Sequence, residues 1–192
     1  MSQIYKVFFN NISFEIKPFS KIDSKLSCIL FFESLSEFIS AIYIVLKTND
    51  SCQKRLILKS DNVQNDWQHL LYNLRQFEFI VAAGGIVENS LKQRLFIFRN
   101  GFWDLPKGKV EENERLSIAA KREIAEECGL SEIRFGSFIS KTYHMYHENG
   151  DVKLKETHWF LFYSNQLENL KPQLEEGITH LKWVSCKDLE SI

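Results

Sequence analysis

Three features of the chain predict an α+β protein built from a small amino-terminal α/β appendage over residues 1–77 and a larger domain over 78–192. Short apolar runs of strand length recur throughout, two stretches near 34–47 and 62–75 place apolar residues at helical spacing, and a glycine-paired apolar run after Glu78 opens a new series of strands. With 44% hydrophobic and 14% aromatic residues the chain has ample material for a core, and its 192 residues suit one principal domain with an addition.

The appendage begins with strands near 3–9 and 12–17, then one near 27–32 that leads into the amphipathic helix at 34–47. A second unit repeats the scheme. Arg55-Leu56-Ile57-Leu58 has strand character, and Asn62 is placed to cap a helix on which Trp67, Leu70, Leu71 and Leu74 share a face.

Beyond Glu78, Phe79 to Val87 and Arg94 to Phe98 read as paired strands, and Trp103-Asp104-Leu105-Pro106-Lys107-Gly108-Lys109 as a loop broken by proline and glycine. A helix is expected from about Asn113 to Cys128, closed by Gly129. Residues 133–146 and 152–163 read as strands about the Asn149-Gly150 turn, and Leu181-Lys182-Trp183-Val184 as the last strand. Only about two helical turns of sequence follow Trp183, which leaves open whether the appendage or a second subunit, as in a homodimer, covers one sheet face.

A net charge of -1 gives no broad basic footprint for nucleic acid and no polybasic stretch for an anionic membrane. Cys28, Cys52, Cys128 and Cys186 form no CxxC pair, so a zinc site or dense disulfide framework is not expected. Residues 1–20 lack signal-peptide features, and the apolar run Phe38 to Leu46 is short against the roughly 20 residues a bilayer needs. The expectation is a soluble cytoplasmic protein with a small-molecule partner.

The chemistry concentrates in the third helix. On a helical wheel Glu123, Glu126 and Glu127 fall on one face, with Ile118, Ile124, Ala125 and Cys128 on the opposite arc. Like charges at these spacings cost a few tenths of a kcal/mol each, roughly, unless a cation or basic group compensates. Such a helix is ordinarily a solvated surface. Here it sits inside a longer pattern: Gly108, five residues, Glu114, seven residues, Arg122-Glu123, aliphatic Ile124, one residue, Glu126-Glu127, one residue, Gly129 and aliphatic Leu130. At ordinary residue frequencies the combination arises by chance on the order of once in a billion starts.

That pattern resembles the box of the Nudix hydrolases, filled without departure over residues 108–130. The resemblance implies an α/β/α sandwich: a loop-helix-loop set against a mixed sheet, with helices on either side. It implies magnesium or manganese on Glu123, Glu126 and Glu127, Arg122 orienting a ligand glutamate, and Glu114 as an accessory acid. It further implies cleavage of a phosphoanhydride in a nucleoside diphosphate linked to another group. The water-activating carboxylate is expected among Glu126, Glu127, Glu175 and Glu176, with Glu176 favoured outside the helix. Lys107, Gly108 and Lys109 lie at the mouth of the helix, the lysines placed for phosphate and Gly108 for an unusual backbone turn. Tyr143, His144, Tyr146, His147, His158 and Trp159, on the Asn-Gly hairpin, are candidates for stacking on a base, with no catalytic role assigned.

The Trp-Asp-Leu-Pro-Lys-Gly-Lys lead-in resembles the branch acting on dinucleoside polyphosphates. ADP-ribose, sugar nucleotides, oxidised nucleoside triphosphates and inositol pyrophosphates stay open as substrates. The competing reading is a Nudix-like ligand sensor without catalysis. The intact box and the lack of a basic recognition helix argue against it.

Overall fold

The computed structural model describes residues 5–18, 29–48 and 54–189, so Cys28, Cys52 and the ends of the first and third expected strands lie outside the described residues. The chain divides into two compact units, Met1–Ile80 with Thr142–Glu156, and Val81–Lys141 with Thr157–Ile192.

In the first unit, strands β1 (Tyr5–Phe9) and β2 (Ile12–Pro18) form an antiparallel hairpin. Strand β3 (Ile29–Phe32), helix α1 (Leu35–Thr48), strand β4 (Lys54–Ser60) and helix α2 (Val63–Leu74) follow. β2 and β3 each pair in parallel with β4, so the sheet is mixed. Asn62 caps α2 as its side chain accepts from the Asn65 amide, and Trp67, Leu70, Leu71 and Leu74 are buried, as their spacing predicts. They pack with Phe38 and Ile42 of α1 and with Val7, Phe9, Phe14 and Ile16 of the strands. The unit also takes the end of the long hairpin, because β1 pairs in parallel with residues 143–145.

One carboxylate lies buried in this unit. Glu15 on β2 is fully covered, accepts from Arg55 at 2.9 and 2.8 Å and from Ser13 at 2.8 Å, and is paired with Lys17 at 2.8 Å and Lys6 at 3.2 Å. Burial alone would raise its pKa, but the bonds from Arg55, Lys17 and Ser13 outweigh it and hold the carboxyl well below its ordinary value of 4.5.

Residues of β9 (Arg134–Glu148) and β10 (Asp151–Tyr163) are shared between the units. Asn149 and Gly150 join them with φ of 54° and 90°, the two left-handed residues a tight hairpin turn requires. The second unit adds β5 (Glu78–Glu88) from Val81 onward, β6 (Arg94–Arg99), β7 (Phe102–Asp104), β8 (Lys107–Lys109), α3 (Leu116–Cys128), a 3-10 turn at Leu174–Glu176 and β11 (Ile178–Val184). β11 pairs with β6, and β6 with β5, antiparallel. Under α3 lie Ala83, Val87, Leu95, Ile97, Phe162 and Ile178, all fully buried.

Three expectations are corrected here. Residues 103–109 are not loop throughout: β7 pairs with β6 and β8 with β5, and only Leu105-Pro106 interrupts them. α3 starts at Leu116, because Asn113 has φ of 62°, outside the helical region. Ile118 is 55% exposed, and the buried side of the helix carries Ala119, Ala120, Ile124, Cys128 and, unexpectedly, Glu127. Residues 185–189 form a turn in which the Asp188 amide bonds the Ser185 carbonyl, and no described helix is long and apolar enough to cross a membrane.

Because folding lowers the Glu15 pKa, its stabilising contribution is complete above about pH 4.5 and is lost as the pH falls below that value. The wild-type protein is therefore expected to lose stability toward pH 3. Glu15→Gln should cost about 2–4 kcal/mol at pH 7 and flatten this dependence, measured by denaturant unfolding across pH 3–7. Equal acid slopes in the two proteins would remove Glu15 as the cause.

Candidate active site

The middle of α3 is organised by one guanidinium. Arg122 donates from Nε and Nη2 to both oxygens of Glu114 at 3.0 and 2.9 Å, from Nη1 to Glu123 at 2.7 Å and Glu126 at 3.1 Å, and from Nη2 to the Lys109 carbonyl at 3.1 Å. All five of its N–H donors are used. The repulsion among the box carboxylates is thus relieved by a basic group of the chain itself. The bond from Arg122 holds the Glu114 carboxyl below its ordinary range. The second Glu114 oxygen also accepts from the Glu111 amide, which ties down the turn before α3.

Glu123 lies over Gly108. A Cβ on Gly108 would stand 2.0 Å from Glu123 Oε2, so glycine serves close approach of a carboxylate. This corrects the turn expected at Gly108, which sits in β8 paired with Ala83. Burial raises the Glu123 carboxyl above its ordinary value, against the bond from Arg122.

Glu127 is 1% exposed, whereas Glu126 lies at the surface. Glu127 Oε2 accepts the Lys107 amide at 2.8 Å, and Oε1 faces Arg99 Nη1 at 3.5 Å. Burial pushes this carboxyl up to about 7, although the Lys107 amide and the charges of Lys107 and Arg99 pull the other way. Among the described residues no three His, Cys, Asp or Glu side chains gather closely enough to hold a metal ion. Glu123 and Glu126 both accept from Arg122 Nη1, while Glu127 is turned onto the Lys107 amide of β8.

Glu176 enters from the 3-10 turn. Its segment is hooked to the end of α3, where the Lys171 and Gln173 amides donate to the carbonyls of Cys128 and Glu127 at 3.0 and 3.3 Å. Such carbonyls have no partner within a helix. Arg99 then bridges the two carboxylates, with Nη2 2.7 Å from Glu176 and Nη1 facing Glu127. Glu175 is exposed. Lys107 pairs through its ammonium with Asp104, and Lys109 contributes its carbonyl to Arg122 while its side chain is exposed.

Sequence reasoning missed Arg99 and Asp104. The available signal was Arg99-Asn100-Gly101, a cation ending one strand at a tight-turn dipeptide, which folds β7 back on β6 with Phe102 opposite Arg99 and Asp104 opposite Ile97. The hairpin aromatics divide between the units. Tyr143 packs in the first core against Trp67, and His144 and His147 lie against Phe8 and Phe9. His158, mostly buried, lies near Phe138, and Trp159 has the Lys107 ammonium 6.0 Å from its ring.

The sequence matches the NUDIX domain over residues 78–192, and the chain belongs to the Nudix family of pyrophosphohydrolases. It is 23% identical over 186 residues to the mRNA-decapping protein g5R of African swine fever virus (isolate Pig/Kenya/KEN-50/1950), covering 83% of this chain and 75% of that protein. A stretch of 36 residues is 53% identical to an 8-oxo-dGTP diphosphatase of Buchnera aphidicola subsp. Schizaphis graminum, which is 19% of this chain and 28% of that one. Among solved structures, a C. elegans Ap4A hydrolase binary complex matches with a TM-score of 0.46 and 22% identity, over 59% of this chain and 85% of that one. A MutT protein from Methanosarcina mazei Go1 matches with 0.47 and 22%, over 61% and 84%.

Two outcomes follow for the site. Folding raises the Glu127 pKa from 4.5 to about 7, so in chelator its ionisation removes stability between those pH values, on the order of 3 kcal/mol. Wild type should lose stability relative to Glu127→Gln from pH 5 to 7 and lose nothing further above pH 8; parallel unfolding curves would contradict this. Gly108→Ala should displace the Glu123 carboxylate and lower turnover about a hundredfold, with melting temperature little changed. Full activity of that variant would show that the close approach is incidental.

Proposed function

We propose that the chain hydrolyses a phosphoanhydride bond in a nucleoside diphosphate linked to another group, with magnesium or manganese held by Glu123, Glu126 and Glu127. The observation that carries this reading is the carboxylate assembly on α3, where Arg122 gathers Glu114, Glu123 and Glu126 beside the buried Glu127. Its donors are hard oxygens, the chemistry these ions select. Glu123 and Glu126 would exchange Arg122 for the ion.

A divalent ion bound there would neutralise phosphate charge and lower the pKa of a bound water. The rest of the work falls to side chains. Glu176, held next to Glu127 through Arg99, would be the loop carboxylate that accepts a proton from attacking water. Lys107, ion-paired with Asp104 and beside Gly108, would be the cation that meets the substrate phosphates. Arg122 keeps the carboxylates on one side of the helix.

Among such substrates, a capped RNA end is favoured by one finding: the match to an mRNA-decapping protein covers most of this chain and not the box alone. Dinucleoside polyphosphates, suggested by the residues before the box, are the second reading.

The test is a panel of capped RNA, dinucleoside polyphosphates, ADP-ribose, sugar nucleotides, nucleoside triphosphates and inositol pyrophosphates, each with magnesium, manganese or chelator. Metal-dependent release of a nucleotide product from one substrate class supports the proposal. Tight binding without turnover of any of them would leave a sensor in its place. Glu127→Gln should lower turnover by more than about a hundredfold with the fold intact, and Arg122→Ala by about tenfold. Unchanged turnover of Glu127→Gln would remove the site assignment.

A further inference from the structure

In the first unit, cations and rings collect on the sheet face opposite the one that α1 and α2 cover. Val7 and Phe9 of β1, Phe14 and Ile16 of β2, and Leu56 and Leu58 of β4 pack in the core with those helices. Strand alternation therefore sends Lys6, Phe8, Ser13, Glu15 and Arg55 to the opposite face. The registers agree, with Lys6 opposite Glu15, Phe8 opposite Ser13, and Ser13 opposite Arg55. On β9, Tyr143 and Met145 belong to the same core and His144 pairs with Phe8, which brings His144 and then Tyr146 to this face. Lys155 joins them, because its neighbour Leu154 on β10 is a core residue.

Positive charge predominates here. Lys6, Lys17 and Arg55 all pair with the one buried carboxylate, Glu15, at 3.2, 2.8 and 2.8 Å. Next to the Asn10-Asn11 turn, Lys6, Phe8, Glu15, Lys54 and Arg55 line a cavity of about 310 Å³, so its lining holds three cations and a single acid. The cavity is open to solvent at its cations, since the Lys6 side chain is 41% exposed and that of Arg55 26%. A net charge of -1 for the whole chain conceals this local excess. Lys6, Phe8, Lys54 and Arg55 also lie outside residues 78–192, the part that matches the NUDIX domain.

Rings continue the face beyond the cavity. Phe8 and His144 stack at 5.2 Å with their planes 22° apart, and the Lys155 ammonium lies 5.3 Å from the Tyr146 ring. His144 is exposed, and Phe8 and Tyr146 are half-buried. A cationic pocket beside ring surfaces suits a nucleic acid strand whose phosphates meet the charge and whose bases present open faces; a duplex hides those faces. We propose that this face of the first unit binds single-stranded RNA: a phosphate sits against Lys6, Lys54 and Arg55, and a base extends the stack begun by Phe8 and His144. The choice of RNA as the strand rests on the capped-RNA reading of the substrate.

The test is fluorescence anisotropy of a labelled, uncapped single-stranded RNA with the full chain, in chelator and over a range of salt concentrations. Wild type should bind, and more weakly as salt rises. Lys6→Ala should weaken binding about threefold and lower the slope of log affinity against log salt by about one. His144→Ala should weaken it about tenfold and leave that slope unchanged, as loss of a stacking ring does. Both positions are exposed, and an unchanged melting temperature shows that the fold is kept. No binding by wild type, or equal affinity in wild type and both variants, overturns the proposal. So does binding that survives both substitutions and is lost when Glu123, Glu126 and Glu127 are replaced by Gln, which places the strand on the carboxylate helix. RNA bound through Lys6 and His144, with no capped RNA cleaved in the substrate panel, upholds the surface and removes only the hydrolytic reading. Capped RNA cleaved, with RNA affinity that neither substitution changes, does the reverse.

Discussion

Arg122 is the constraint on which the rest of the site depends. A helix with carboxylates at positions 123, 126 and 127 repels itself, and here the repulsion is answered from within, by a guanidinium that spends every N–H on Glu114, Glu123, Glu126 and the Lys109 carbonyl. The same side chain fastens three pieces together: the turn that carries Glu114, the helix itself and β8. Its fork geometry is what allows this, since a lysine ammonium would offer a point charge and no bidentate grip on Glu114.

Around that hub the two buried-side carboxylates are treated differently. Glu123 is accommodated because residue 108 has no side chain, and Glu127 because a backbone amide of β8 points at it. Short β8 therefore does two jobs that the expected loop could not do reproducibly, since pairing with β5 fixes the position of both Gly108 and the Lys107 amide. Arg99 repeats the theme at the sheet end, holding Glu127 and Glu176 from one guanidinium.

Most of the fold was legible because its signals are local. Asn62, the Trp67 to Leu74 spacing and Asn149-Gly150 each act through a neighbouring backbone or one helical face, and the elements they mark are present. The Nudix box was legible for a different reason, as a spaced pattern spanning residues 108–130. What the sequence hid depends on tertiary contact. The wheel could not show that Glu127 faces the core, because that depends on which arc of α3 the sheet covers. Nor could it show that Gly108 makes room for a side chain fifteen positions further along. Arg99 and Asp104 stayed hidden because β7 joins β6 through a three-residue pairing too short to carry a periodic signal.

The central claim is that the Arg122-bound carboxylates are a divalent-ion site held in reserve by a basic group. Calorimetric titration of the full chain with manganese at neutral pH, in wild type and in a variant with Glu123, Glu126 and Glu127 all replaced by Gln, tests it most directly. The account predicts saturable binding in the wild type, with proton release because Glu127 is partly protonated near pH 7, and no binding in the variant. Equal binding in the two proteins, or none in either, would contradict it.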